Sequence, residues 1–368
     1  MAVLEKISLQ NFRNIADASL QFVRGINCIC GSNGQGKTNL LDAIYFLSMT
    51  KSAFGFADSL CVRYGAEGFS IGGSYALDGG LATRVGLSFS AAEGKAIRRD
   101  GKAVKRASDH IGLLPVVMIC PQDGALVGDG AEVRRRFVNG VLSQMDPGYL
   151  AAVQRYRRLL QQRNQVIRDR NADAALLDVL EERMAVEAAA ITASRRDFCE
   201  KISPILAASY RSLCDAAEQV DVSYRSGTLA DASSHVQAIS DAFRTHREKD
   251  SILGFTYPGP QRDDFVFRMN GYPLRSCASQ GQQKSFLLCL KLSQYELMRP
   301  CCGERPILLL DDVFDKLDES RTASLIRLVS RGDYGQIFIT DTSRPRLEGI
   351  IGGIAPDAAY FEAKDGEF

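Results

Sequence analysis

The stretch that decides the fold is a glycine-rich loop, which consists of Gly31, Ser32, Asn33, Gly34, Gln35, Gly36, Lys37 and Thr38. It satisfies the phosphate-loop pattern G-x-x-x-x-G-K-[ST], in which glycines let backbone N–H groups turn inward and cradle phosphates. An apolar strand-like run at 26–30 precedes it, and residues 38–49 follow with helical apolar spacing. We therefore predict a nucleotide site. Lys37, exposed in the empty loop, supplies charge to the β- and γ-phosphates, and the Thr38 hydroxyl is a magnesium ligand.

Two adjacent acids follow an apolar run far along the chain. Residues 306–310 read Pro-Ile-Leu-Leu-Leu and are followed by Asp311 and Asp312. In a phosphate-loop protein, such a run is typical of a Walker B strand. We expect Asp311 to bind magnesium and Asp312 to orient or deprotonate the attacking water.

A third motif lies 32 residues before Asp311, at the start of a helical segment. It resembles the signature motif of ABC ATPases, usually Ser-Gly-Gly-Gln, and consists here of Ser279, Gln280, Gly281 and Gln282. A serine cap, a glycine and a free helix N-terminus suit a γ-phosphate, although the same residues alone could be only a helix cap. In the ABC family the motif faces the nucleotide of the partner subunit, so the resemblance implies an ATP-dependent homodimer.

Three smaller elements agree with this interpretation. Gln122 follows a strand-like run, where a Q-loop residue is expected, and is a second catalytic candidate. Asp318, in the D-loop-like Lys-Leu-Asp at 316–318, is a further nucleotide-binding candidate. Thr340 and its neighbours stand where ABC proteins commonly place a switch histidine.

The rest of the chain divides into a β-rich part and a helical part. Residues 68–117 alternate in the manner of strands, and Asp100-Gly101 and Asn270-Gly271 are hairpin turns that need positive φ. Glycines are few from 131 to about 250. There, a helix opening at Asp146-Pro147 and reaching Arg170 is expected to form an antiparallel hairpin with a second helix, which Pro204 should end or kink.

These patterns predict an α/β fold, an ABC/SMC-type P-loop ATPase head with a β subdomain and an inserted α-helical hairpin arm. The head is expected to comprise residues 1–130 and 251–368, and the arm residues 131–250.

Bulk composition fits such a protein. The chain has 368 residues, long enough for two packed units, and a formal net charge of +1, which leaves room only for a local basic patch. No secretory leader or membrane-spanning run is evident, and the ten cysteines lack zinc-site spacing. We therefore expect a cytoplasmic protein with buried free thiols.

Residues 131–170 form a local basic segment, with nine arginines against three acids. Such a helix face could bind DNA phosphates. The alternative is a solvated face whose arginines pair with acids of the second helix, such as Glu181, Glu182 and Glu187. The candidate DNA-binding residues are Arg134, Arg135, Arg136, Arg155 and Arg158.

Taken together, the motifs resemble the RecF family. The similar stretches are residues 11–14, 36–45, 259–264, 279–283 and 310–314. The resemblance implies ATP and Mg²⁺ as cofactors, a weak ATPase coupled to dimerisation, and Arg13 as a nucleotide-binding residue. It also implies binding to DNA at gaps and single-strand/duplex junctions, where the protein acts with RecR to load RecA in recombinational repair, replication restart and SOS induction. Gln122, Gln261 and Lys316 depart from the family pattern.

Two other functions share the nucleotide motifs. An ABC transporter subunit has a compact insert between phosphate loop and signature. Here Lys37 and Ser279 are 242 residues apart, which favours the SMC-type head. The other alternative is an ATP-gated clamp that makes no direct contact with DNA.

Overall fold

A computed structural model describes residues 1–168, 173–214, 218–227, 236–314, 319–329 and 334–368. The chain forms two compact units. The first contains Met1–Gly124, Ser212–Asp215 and Leu287–Phe368, and the second contains Ala125–Arg211 and Ala216–Phe286. Within the described ranges, no helix is both long and apolar enough to cross a membrane.

The strands are numbered in chain order. They are β1 (Val3–Phe12), β2 (Ile15–Gln21), β3 (Ile26–Cys30), β4 (Gly68–Ala76), β5 (Ala82–Ser90), β6 (Gly94–Arg99), β7 (Lys102–Ala103), β8 (Val116–Ile119), β9 (Val220–Arg225), β10 (Asp264–Met269), β11 (Tyr272–Pro273), β12 (Ile307–Leu310), β13 (Ile337–Asp341) and β14 (Ala359–Glu362).

The helices are numbered in the same way. They are α1 (Lys37–Met49), α2 (Ala125–Gly128), α3 (Ala131–Met145), α4 (Pro147–Arg168), α5 (Ala174–Cys214), α6 (Val236–Thr245), α7 (Arg247–Leu253), α8 (Leu274–Cys277), α9 (Gln280–Met298), α10 (Glu319–Val329) and α11 (Arg344–Ile351).

A five-stranded parallel sheet lies in the first unit, in the order β14-β3-β13-β12-β8. The three inner strands, β3, β13 and β12, and the edge strand β8 are buried at every position. This burial explains their nearly continuous apolar sequences. The buried parallel strands predicted near residues 307–310 and 336–340 are confirmed. Because parallel strands share a direction, the segments that follow them leave from one edge of the sheet.

The first unit also contains a six-stranded antiparallel sheet, in the order β2-β1-β4-β5-β6-β7. Strand alternation buries one face, with Ile7, Ile71 and Leu87 in the core, and leaves the other face polar. The predicted hairpin turn is present, since Asp100 and Gly101 have φ of 51° and 78°. This sheet is the predicted β subdomain.

The second unit combines helices with the three-stranded sheet β11-β10-β9. Arg155 and Arg163 of α4 pair with Glu187 and Glu181 of α5, respectively, so these two helices run antiparallel as predicted. The turn residues 169–172, including the expected helix end at Arg170, lie outside the described residues.

The helix does not end at Pro204, as the sequence suggested it could, because α5 continues to Cys214. Proline removes one backbone donor, but tertiary contacts hold the segment in place. Ile202 and Leu206 are fully buried, and the Ser203 hydroxyl bonds to the backbone of Val222 in β9. Packing therefore outweighs the local signal.

The compact units differ from the predicted division at three places. Residues 125–130 fall in the second unit and residues 212–215 in the first. Residues 251–286 also fall in the second unit, although the sequence assigned them to the ATPase head. The reason is that β10 pairs with β9 along its whole length, from Asp264↔Arg225 to Met269↔Val220. The boundary between head and arm as functional domains remains a prediction.

A buried ion cluster connects three helices of the second unit. The Arg163 guanidinium donates to Glu181 at 2.8 Å and to Asp250 at 2.7 Å, and all three side chains are fully buried. Thr256 Oγ1 and the Phe243 carbonyl accept further bonds from it. Because a buried charge needs such partners, the cluster fixes how α4, α5 and α7 pack.

Arg163→Met should lower the free energy of unfolding by about 3–5 kcal/mol, since it removes the cation that pairs with the buried carboxylate of Asp250 and leaves Glu181 with Arg247 alone. The matched control is Arg155→Met, which removes a half-exposed pair and should cost about 0–1 kcal/mol. Urea unfolding followed by circular dichroism measures both. Equal midpoints for the two variants would contradict a structural role for the cluster.

Candidate nucleotide site

Four strands of the parallel sheet deliver the predicted site residues to one edge. The phosphate loop follows β3, Asp311 follows β12, Gln122 follows β8, and Asp341 ends β13. The apolar strands hold the backbone, and the polar side chains begin where the strands end. This is the edge at which ligands bind in open α/β sheets.

All three glycines of the phosphate loop, Gly31, Gly34 and Gly36, have positive φ. Gly36 has φ of 105° and stands directly before α1. Gly31 has φ of 154°, and a Cβ there would clash with the Ala363 carbonyl oxygen. The loop is also supported from behind, because Gly366 N–H donates to the Gln35 carbonyl at 3.1 Å. No sequence signal pointed to this contact with the C-terminal segment.

Lys37 is buried, and the prediction that it is exposed in the empty loop is wrong. Its side chain is 4% exposed, and Nζ donates to the carbonyls of Gly31 at 2.6 Å and Ser32 at 3.1 Å. The ammonium group is thus held inside the loop by two backbone carbonyls. Ser32, Asn33 and Gly34 are exposed, so the rim of the loop faces solvent.

Thr38 and Asp311 meet as the magnesium prediction requires. Thr38 Oγ1 lies 2.9 and 3.0 Å from the two carboxylate oxygens of Asp311, although the residues are 273 positions apart. Burial raises the pKa of Asp311, and hydrogen bonds from Thr340 and Thr38 oppose that rise. The carboxylate is therefore placed where a cation would stabilise its charged form.

Thr340 organises both acids of the Walker B segment. Its hydroxyl donates to Asp311 at 2.8 Å and accepts from the Asp312 backbone N–H at 2.9 Å. Asp312 has φ of 45°, a conformation that non-glycine residues seldom adopt, and the second bond holds it there. Sequence reasoning noted Thr340 only as a replacement for histidine and missed this role.

The donor set suits Mg²⁺. A hydroxyl and a carboxylate side by side are the few protein oxygens that Mg²⁺ takes when phosphates and water complete its shell. Among the described residues, no group of three or more His, Cys, Asp or Glu side chains forms a dedicated metal site. Thr38 and Asp311 therefore fit a metal held jointly with nucleotide phosphates.

Arg13 lies beside the phosphate loop and is held by a buried acid. Its guanidinium donates to Asp42 at 2.6 Å and to Ser52 Oγ at 3.1 Å, and it stacks on the Phe56 ring at 4.5 Å from the centroid. Burial raises the pKa of Asp42, and the charge of Arg13 opposes that rise. Sequence analysis named Arg13 but missed the residues that position it.

The signature-like motif forms a reciprocal cap in the second unit. Ser279 Oγ accepts from the Gln282 backbone N–H at 3.3 Å, and Gln282 Oε1 accepts from the Ser279 N–H at 2.9 Å. Ser279, Gln280 and Gly281 are exposed. The helix start is thus closed by two of the four motif residues and presents the other two to solvent.

The remaining candidates lie as follows. Gln122 is exposed in a short 3₁₀ turn, next to Asp123, whose carboxylate pairs with Lys291 at 2.8 Å. Gln261, a departure from the family pattern, accepts a bond from Tyr156 and supports its own loop. Asp318 and Lys316 lie outside the described residues.

The arm arginines are divided between internal and exposed roles. Arg134 pairs with Asp264 at 2.8 Å and Arg135 donates to the Asp263 carbonyl, so both are used inside the second unit. Arg136 pairs with Glu132 and remains 61% exposed. Arg155 is 55% exposed and makes two bonds to Glu187, as the alternative interpretation expected, and Arg158 is exposed.

Comparison with known proteins agrees with this geometry. A family model described as an AAA domain matches residues 6–113. The DNA replication and repair protein RecF of Porphyromonas gingivalis is 41% identical over 365 residues, which cover 99% of both chains. RecF of Parabacteroides distasonis is 38% identical and covers 99% of this chain and 98% of its own.

Solved structures show the same fold. The recombination mediator protein RecF-ATP in the RecFOR pathway superposes with a TM-score of 0.90 at 28% identity and covers 99% of this chain and 98% of its own. The Smc head domain of Pyrococcus furiosus, bound to the C-terminal domain of ScpA, has a TM-score of 0.57 at 13% identity, covering 100% of this chain and 95% of its own. The second likeness concerns the fold alone.

The parallel sheet with its phosphate loop and Walker B acids, the antiparallel β subdomain and the helical hairpin define an ATPase head of the ABC/SMC type. Nucleotide binding at this edge agrees with the ATP-bound relative. On the identity and coverage of its relatives, the chain belongs to the RecF family of DNA replication and repair proteins.

Thr340→Val should lower kcat for ATP roughly tenfold, because a bond to a charged group contributes about 1.5–3 kcal/mol and 1.4 kcal/mol corresponds to tenfold. Thr340→Ser keeps the hydroxyl and should restore most of the rate. Nucleotide affinity should change less than kcat, since Lys37 and the loop are untouched. Parental turnover by Thr340→Val would show that neither bond positions the acids.

Proposed function

We propose that the chain is an ATP-dependent DNA-binding repair protein that acts at single-strand gaps and single-strand/duplex junctions. Its ATP-bound form is a homodimer, its hydrolysis is weak and coupled to that dimerisation, and with RecR it promotes RecA loading. Two findings support this role. The relatives are named DNA replication and repair proteins, and a similar solved protein is described as a recombination mediator in the RecFOR pathway. The cytosol is the compartment in which such a protein would work.

One observation carries the proposal: the Thr38 hydroxyl of the phosphate loop bonds to the Asp311 carboxylate of the Walker B strand. Each residue alone is a common structural element. Their direct contact supports a nucleotide site rather than a glycine-rich turn and an unrelated pair of acids.

The residues have distinct tasks in this proposal. Thr38 and Asp311 would hold Mg²⁺, which when bound neutralises charge on the phosphates. The Lys37 ammonium exchanges its bonds to Gly31 and Ser32 for phosphate oxygens. Asp312, held by Thr340, orients or deprotonates the attacking water, and Gln122 assists from the end of β8.

Dimerisation is supported by the exposed signature motif. Phosphate loop and Walker B strand belong to the first unit, and Ser279–Gln282 belongs to the second. An exposed helix start with a glycine is a ready anion site. In ABC ATPases it binds the γ-phosphate held by the other subunit, and the same arrangement is proposed here. Asp318 would contact nucleotide across the same interface.

A transporter subunit and a clamp without DNA contact remain the alternatives. Gel shifts with gapped DNA, with and without ATP, test the proposal against both. Binding that requires ATP supports the proposal. ATP-driven dimers that leave DNA unshifted would favour the clamp, because the RecF relatives already argue against a transporter subunit.

Asp312→Asn should abolish most ATP hydrolysis while ATP still binds, because Thr38 and Asp311 remain in contact. The dimer should then persist with ATP instead of dissociating on turnover. Phosphate release and size-exclusion chromatography with ATP measure the two effects. Hydrolysis at the parental rate would exclude Asp312 as the catalytic acid.

Ser279→Arg should leave ATP affinity nearly unchanged but abolish ATP-dependent dimerisation, because an exposed arginine would obstruct the approaching subunit. Loss of the serine cap costs about 1 kcal/mol, too little to unfold the protein. Ser251→Arg, at an exposed serine on α7, is the matched control and should dimerise normally. Light scattering with and without ATP measures dimerisation. A Ser279→Arg variant that still dimerises would rule out the arrangement in which the signature motif of one subunit faces the nucleotide of the other.

A further inference from the structure

The polar face of the antiparallel sheet contains a groove of about 450 Å³. We call it the sheet groove and define it by six of its lining residues, which are Lys6, Ser8, Gly72, Arg84, Gly86 and Arg98. All lie in the first unit, on β1, β4, β5 and β6. The nucleotide mechanism uses none of them.

Strand register explains the shape of the groove. Ser8 stands opposite Gly72, Gly72 opposite Gly86, and Gly86 opposite Arg98, so one row crosses four strands with almost no side chain in its middle. The next row along places Lys6 opposite Ser74, and Ser74 opposite Arg84. The result is a shallow trough with a floor of backbone and hydroxyl groups and with cations along its sides.

The fold does not require glycine at position 86. A Cβ there would meet no atom within 4 Å, and its φ is not in the left-handed region. Glycine inside a strand weakens it and often marks a place where a ligand or another backbone approaches closely. Gly72 differs, since a Cβ there would lie 2.6 Å from Ser8 Oγ.

The groove is positively charged. Lys6, Arg84 and Arg98 are exposed, and within the part of the chain that the structure describes none of them forms an ion pair. None of the described residues lining the groove is acidic. Asp100, in the adjacent turn, is used there, accepting from the Arg84 backbone N–H at 2.8 Å and from Thr83 Oγ1 at 3.1 Å.

We propose that the sheet groove binds the phosphodiester backbone of duplex DNA. Cations and small hydroxyl groups are the partners that DNA phosphates take, and such contacts fix position without reading sequence. No aromatic side chain lines the groove, so the stacking that single strands favour is absent there. The inference rests on the proposed DNA-binding function and moves the contact from the arm arginines to this sheet.

The test compares two triple variants that each remove three charges. The groove variant is Lys6→Gln/Arg84→Gln/Arg98→Gln, and the arm variant is Arg136→Gln/Arg155→Gln/Arg158→Gln. Affinity for a short labelled duplex is measured by fluorescence anisotropy with ATP, at salt concentrations between about 50 and 200 mM. ATP binding and circular dichroism confirm that both variants are folded.

The groove variant should bind at least about tenfold more weakly, and the slope of log K against log salt should fall by about 2–3, since each phosphate contact contributes about 0.9. The arm variant should keep most of the parental affinity and slope. Gly86→Gln, which fills the floor without changing charge, should weaken binding several-fold at unchanged slope.

The groove inference would be overturned if the groove variant kept the parental affinity and salt slope, or if Gly86→Gln bound DNA like the parent. Either result would leave the proposed function intact. If the parent chain with ATP binds no DNA, gapped or duplex, then both the groove inference and the proposed function fail. The two failures are therefore distinguishable within one experiment.

Discussion

The contact on which the site depends is the bond between the Thr38 hydroxyl and the Asp311 carboxylate. It joins residues 273 positions apart, and it exists because β3 and β12 belong to one parallel sheet and end at the same edge. β13 lies between them and contributes Thr340, whose hydroxyl ties Asp311 to the backbone of Asp312. Shifting any one of the three strands by one residue would separate these groups, so the apolar packing of the sheet also sets the geometry of the nucleotide site.

Some parts of the fold and the site could be predicted from short stretches of sequence. The phosphate loop, the Walker B strand and the two glycine turns are of this kind, because a few neighbouring residues determine both shape and role. Thr340 could not be found in this way, since its function comes from contact with residues about 30 positions earlier. The buried state of Lys37 was missed because it depends on how the loop folds over the side chain, which places the carbonyls of Gly31 and Ser32 within reach of Nζ.

The arginines of the arm show what a local charge count leaves out. A net positive segment predicts a phosphate-binding face only if its cations remain unpaired. Arg163 is fully buried between Glu181 and Asp250, and Arg134 pairs with Asp264 from a distant strand. Glu181 was an expected partner, but Asp250 and Asp264 lie too far along the chain for a count over 131–170 to include them. The three cations of the sheet groove come from three separate strands, β1, β5 and β6, so a charge count over one segment cannot group them.

In the signature-like motif, two residues cap the helix and the two between them face solvent. Ser279 and Gln282 satisfy each other's backbone N–H groups and so close the first turn of α9 without help from a ligand. Gln280 and Gly281 stand between them at exposed positions, where the first N–H groups of a helix have no partner within the helix. Gly281 carries no side chain, and a Cβ there would meet only Ser279 Oγ, at 3.9 Å. The fold therefore has room for a larger residue at this position, so packing does not explain the glycine.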